Sequence, residues 1–192
     1  MKPHLSQKIK WINPANIPEK QYTCGYCGSF VASNQGFVTN PPIFSIAICP
    51  YCQCPTFFFA SQQIPEALPG KTVEGVPEDV NSLYTEARRC IAASAYTASV
   101  LACRKLLMHI AVSLGDQPGK SFMSYVEFLA DKGYVPPNGK AWVNHIRKKG
   151  NEANHEIVIM SKQDAEELIT FLEMLLRFIY EFPSKIPQEN TR

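Results

Sequence analysis

Four cysteines in two short turns carry the most legible chemistry of this chain. Cys24 and Cys27 lie in "YTCGYCGSF", and Cys49 and Cys52 lie in "AICPYCQCP". A CxxC turn aims two thiolates at one point while its backbone amides stabilise their charge. Two such turns supply the four sulfurs that tetrahedral Zn2+ accepts. Four thiolates leave no open coordination position, so the expectation is a structural zinc ribbon and not a catalytic metal. Cys54 is an alternative ligand to Cys52, but CPYC repeats the spacing of CGYC, which favours Cys52. A pair of redox couples is the competing reading, and two pairs at ribbon spacing weigh against it. Cys90 and Cys103 fall on helical stripes and are expected as buried core thiols.

The second chemically suggestive stretch is "IRKKGNEANHEI", Ile146 to Ile157. On a helix Arg147, Asn151 and His155 are spaced by four and share one drifting face. A guanidinium, a carboxamide and an imidazole together suit a phosphodiester. Arginine neutralises phosphate, histidine moves a proton, and asparagine orients either group. Lys148 and Lys149 add positive potential, and Gly150 lets a ligand or another backbone approach, or simply ends the helix. The same residues also admit a structural account, in which Asn151 caps the helix after Gly150 and His155 bonds back to the bundle.

Two kinds of structure are needed to position these groups. From Trp11 to Phe59 the sequence is rich in aromatics, Cys, Pro and Gly, with strand-like runs at "SFVAS", "PPIFSIAI" and "TFFFA". Residues 11–63 are therefore expected to form a zinc-ribbon module with four cysteine ligands. Residues 64–78, with three prolines and two glycines in "IPEALPGKTVEGVPED", read as a linker. Residues 79–185 are expected to form an antiparallel helical bundle. Its second helix shows a stripe at Tyr96, Val100, Cys103, Leu107, Ile110 and Leu114, stopped by Gly115. A shorter helix ends at Gly133, another opens after "PPNG", and Ser161 with Asp164 forms a capping box before the last. The predicted fold is thus mainly α, a bundle preceded by a small β ribbon.

The whole composition bounds the function. The 192 residues are 45% hydrophobic and 19% charged, with a net charge of +2, which describes a folded chain without a global electrostatic demand for nucleic acid. No apolar run approaches the ~20 residues of a membrane span. The start, "MKPHLSQKIKWINP", has no apolar core and does not read as a signal peptide, so the cysteines are expected in a reducing cytoplasm. Ten of the 21 aromatics precede residue 60. They can stack on bases, but packing within a module of little core is the preferred expectation.

From about Asp79 to Pro183 the chain resembles the bacterial domain of unknown function 4145. The hallmark of that family is a GN.A.H signature, present here as Gly150, Asn151, Ala153 and His155, with the upstream arginine at Arg147. "AYTASVLACRKLL" is similar to the family's second helix through Arg104 and Leu107, although Met108 stands where an acidic residue is common. Gly133 and Pro136 match the turn before the signature. The family is grouped with the HEPN superfamily of helical bundles, which includes metal-independent ribonucleases acting as dimers. The resemblance therefore implies a HEPN-like bundle, a homodimer, and a phosphate site with Arg104, Lys148, Lys149 and Gly150. Catalytic roles would fall to His155, Arg147 and Asn151. Gly150 occupies the position where those enzymes carry arginine.

Two functions follow as expectations. One is a non-catalytic binding and assembly module for RNA, DNA or a protein partner, in a defence or restriction setting where related domains occur. The other is a metal-independent endoribonuclease using His155 with Arg147.

Overall fold

The computed structural model describes residues 10–135 and 159–185. Arg147, Lys148, Lys149, Gly150, Asn151 and His155 lie outside these residues. The chain divides between Leu68 and Pro69 into two compact units.

The first unit is a five-stranded antiparallel sheet in which every strand pairs with its neighbours in sequence: β1 (Ala15–Thr23), β2 (Phe30–Val38), β3 (Phe44–Ile48), β4 (Pro55–Phe59) and β5 (Gln62–Ile64). Strand pairing places side chains on alternate faces. One face carries Ala47 and Phe58, over which Tyr22 packs edge-on with ring centroids 5.1 Å apart. Ile17, Tyr22, Cys24, Ala47 and Cys49 form the small buried cluster of this unit. Ser33 is buried with them, and its hydroxyl donates to the Ile48 carbonyl at 2.7 Å. Gly36 permits the close approach of β2 to β3, because a Cβ there would lie 1.8 Å from the Ile46 carbonyl oxygen.

Both edges of the sheet are blunted. In β1 the pairing register shifts between Asn16 and Lys20, around Pro18. In β5 only three residues pair before Pro65. Proline, irregular pairing and short length each keep an edge from recruiting another strand.

The second unit is helical: α1 (Glu78–Ala92), α2 (Tyr96–Ser113), α3 (Phe122–Asp131) and α4 (Lys162–Leu176). A π segment, Arg177–Glu181, and one turn, Phe182–Ser184, continue α4. Local signals set the ends. Ser121 accepts from the Ser124 amide, Ser161 and Asp164 form the reciprocal capping box, and Gly115 and Gly133 follow α2 and α3 at φ 102° and 80°. Val100, Cys103, Leu107 and Ile110 of the predicted α2 stripe are buried against Leu168, Leu172 and Leu175 of α4 in one core. Part of the stretch expected as linker also belongs to this unit. Arg88, stacked over Tyr84, donates to the carbonyls of Pro69 and Gly70 at 2.6 and 2.8 Å, and Val73 enters the core. Among the described residues no helix is long and apolar enough to cross a membrane.

The expectation of a mainly α, HEPN-like bundle behind a small ribbon is overturned. Among the described residues helices hold 43% and strands 20%, the strands forming a full five-stranded sheet. Three strand-like runs were legible, whereas β1 and β5 were not. β1 contains Pro18, Glu19 and Lys20, and β5 is two glutamines and an isoleucine. Neither has strong strand propensity, and both are held by pairing with the strand beside them.

Candidate metal centre

The two CxxC turns are built alike. In the first, the Cys24 amide donates to the Ser29 carbonyl at 2.9 Å and the Gly28 amide returns to the Cys24 carbonyl at 2.8 Å. In the second, the Cys49 amide donates to the Cys54 carbonyl at 3.0 Å and the Gln53 amide returns to the Cys49 carbonyl at 2.9 Å. The residue after each second cysteine is left-handed: Gly28 at φ 74° and Gln53 at φ 61°. Glycine adopts this freely, while glutamine needs support. Gln53 has it, since its carbonyl accepts from the Trp11 indole at 2.9 Å and its side-chain amide donates to the Pro50 carbonyl at 3.2 Å.

The strand pairings then bring both turns to one end of the sheet. The sulfurs of Cys24 and Cys52 are 3.7 Å apart, those of Cys27 and Cys49 3.9 Å, and all four lie within 4.8 Å of one another. A tetrahedral tetrathiolate with metal–sulfur bonds of about 2.3 Å has edges of about 3.8 Å, whereas a disulfide would need about 2.05 Å. All seven cysteines are free thiols. The spacing fits a metal ion in the middle. Cys24 and Cys49 are fully buried, and Cys27 and Cys52 are partly so.

Burial and hydrogen bonding act on these thiols in opposite senses. Burial pushes the Cys24 and Cys52 thiols up. Burial also works to raise Cys27, but hydrogen bonds from the Ser29 amide and hydroxyl and from neighbouring thiols outweigh it and bring Cys27 down to about 7. Burial, reinforced by the charges of Cys49, Cys24 and Cys52, pushes the Tyr22 hydroxyl up to about 12. Four thiolates this close repel one another, and a bound dication removes that repulsion.

Among the described residues this is the one group of metal-ligating side chains with such spacing. It contains Cys24, Cys27, Cys49 and Cys52 and leaves out Cys54, whose carbonyl closes the second turn. Of the phosphate-site residues expected in the helical unit, Arg104 alone is described. It is buried, with its guanidinium 4.6 Å from the Phe122 ring centroid, and burial pulls its pKa below the ordinary arginine value. Cys103 is a fully buried core thiol, pushed up to about 12 by that burial. His109 is half-exposed, 3.7 Å from Asp79.

One feature of the sheet escaped the sequence reading. Phe37, Ile46, Phe57 and Ile64 lie directly opposite one another across four strands, forming a continuous row on the face away from Tyr22. Phe44 and Phe59 form the next row, with Phe44 stacked on both Phe57 and Phe59 at 5.8 and 5.0 Å. A cleft of about 400 Å3 opens there, lined by Phe37, Val38, Thr39, Phe44, Ser45, Ile46 and Phe57. The abundance of aromatics was plain in the sequence. Their common face depends on register, which spacing along the chain does not reveal.

No curated protein and no solved structure matches the chain. The profile of one family does, over residues 85–191, which take in α2, α3, α4 and all of the GNxxxH segment. More than half of the sequence is covered, and the chain therefore belongs to the family described as a domain of unknown function, DUF4145.

Proposed function

We propose that this chain is a non-catalytic binding and assembly module whose sheet is braced by a structural Zn2+ held by Cys24, Cys27, Cys49 and Cys52. The observation that carries this reading is the closed cage of four sulfurs. Four protein ligands fill a tetrahedral ion, so no position is left for water or substrate, and the metal's work is to hold structure. The need for it is plain in the sheet unit, where the buried cluster has five members and two of them are ligands. So small a core does not stabilise a domain by itself.

The test pairs metal analysis with an RNA integrity assay. Purified protein should carry one zinc per chain, and RNA incubated with it should stay intact with or without EDTA. Cleavage in EDTA by the wild type that disappears in His155→Ala would replace this reading with a metal-independent ribonuclease.

A further inference from the structure

The aromatic face of the sheet points to a partner class, an inference that rests on the binding-module reading above. An antiparallel sheet with one face packed normally shows water a polar opposite face. Here the opposite face is apolar instead. Phe44, Phe59 and Ile64 are 40%, 42% and 54% exposed, and Val38 and Ile43 at the adjoining hairpin are 42% and 54% exposed. A contiguous surface of this kind is the mark of an interaction site.

Its charge narrows the choice. From Gln21 through Pro65 the chain contains no Lys, Arg, His, Asp or Glu. Lys20, the nearest cation before that span, lies over Phe58 on the other face, and Lys10, next to Trp11 whose ring lies 6.2 Å from Phe37, is the one other described cation of this unit. Nucleic-acid affinity comes chiefly from several cations set against phosphates, and a single lysine beside the row gives base stacking little electrostatic support. An uncharged face is complementary to an uncharged apolar segment, which loses no ion hydration on burial. The edges narrow it further. With Pro18 and the register shift in β1, and a three-residue β5 before Pro65, strand addition at either edge is obstructed. The partner must lie across the face.

We propose that Phe37, Ile46, Phe57 and Ile64, with Phe44 and Phe59, dock an uncharged apolar peptide segment of a protein partner. One or two of its side chains fill the cleft beside Phe44. The cleft has a volume of about 400 Å3 and is open to solvent on one side.

The test uses the full zinc-loaded chain as bait for a random dodecapeptide display library. Enriched peptides should share adjacent apolar or aromatic positions without charge between them. A synthetic peptide from that set, followed by fluorescence anisotropy, should bind about 30-fold or more weakly to Phe44→Asp and to Ile64→Asp, as buried anchor contacts do. Ile64 is over half exposed on a short edge strand, so its variant keeps the fold readable. One zinc per chain in that variant establishes this. Failure to enrich any peptide, enrichment of charged ones, or binding unchanged in both variants overturns the inference. So does a wild-type dimer that dissociates in Ile64→Asp, which would make a second copy the occupant. RNA or DNA binding lost in Phe44→Asp would likewise overturn it, while leaving a binding module in place. Cleavage of RNA dependent on His155 would instead remove the underlying reading.

Discussion

Replacing one cage ligand, Cys49→Ser, tests the metal centre most directly. Cys49 is fully buried, and its sulfur lies 3.9 Å from that of Cys27. Serine keeps the volume, but its hydroxyl does not ionise near neutral pH, leaving three thiolates. Structural zinc contributes about 10–16 kcal/mol of apparent free energy at neutral pH, so one ligand of four accounts for about 2.5–4 kcal/mol. At about 1.4 kcal/mol per decade, zinc should bind about 10^2–10^3-fold more weakly. Competition with a chromophoric chelator at pH 7 measures this, and near-ultraviolet dichroism follows the packing of Tyr22 beside the cage. Cys54→Ser is the matched control. Its sulfur is outside the cage and its structural contact is a backbone carbonyl, so affinity should change by less than about threefold, within the scatter of such comparisons. Wild-type affinity in Cys49→Ser, or a loss in Cys54→Ser as large as that in Cys49→Ser, would refute a cage made of these four sulfurs.

Three further outcomes are expected. Gly36→Ala should prevent closure of β2 on β3, because the new Cβ would sit 1.8 Å from the Ile46 carbonyl oxygen; zinc content and dichroism should both fall, and an unchanged spectrum would contradict the register described. Arg88→Ala should destabilise the helical unit by about 1–3 kcal/mol, by freeing the carbonyls of Pro69 and Gly70 from their buried donor; the midpoint of urea unfolding checks it. Glu181 is held below the usual carboxylate range by its hydrogen bond to Lys185 and by the charge of Arg177. Its folded pKa is depressed, so the stability it confers is present above the unfolded value and lost as pH falls through the folded one. Thermal melting between neutral and acid pH should therefore show a shallower acid limb in Glu181→Gln, and an identical limb would contradict the linkage.

The cage was legible because a CxxC turn is closed by hydrogen bonds spanning five or six residues, so sequence spacing nearly determines its geometry. That spacing favoured Cys52 over Cys54, and the sulfurs that lie together are those of Cys24, Cys27, Cys49 and Cys52. The capping box at Ser161 and the glycine stops after α2 and α3 were legible for the same local reason. Left-handed Gln53 was not, since its support comes from Trp11, far away along the chain. The linker reading of residues 64–78 likewise could not anticipate Arg88, whose partners at Pro69 and Gly70 are chosen by packing.

The sequence by itself determined the two CxxC turns, the helical stripe of α2, and the helix stops and caps, because each is written within a turn or two of backbone. Tertiary structure alone decided that β1 and β5 join the sheet, and that Phe37, Ile46, Phe57 and Ile64 align as one row, partly buried except at exposed Ile64. Those residues are brought together by the register of four strands, and a slip of one residue in any pairing would turn that strand's side chains to the opposite face.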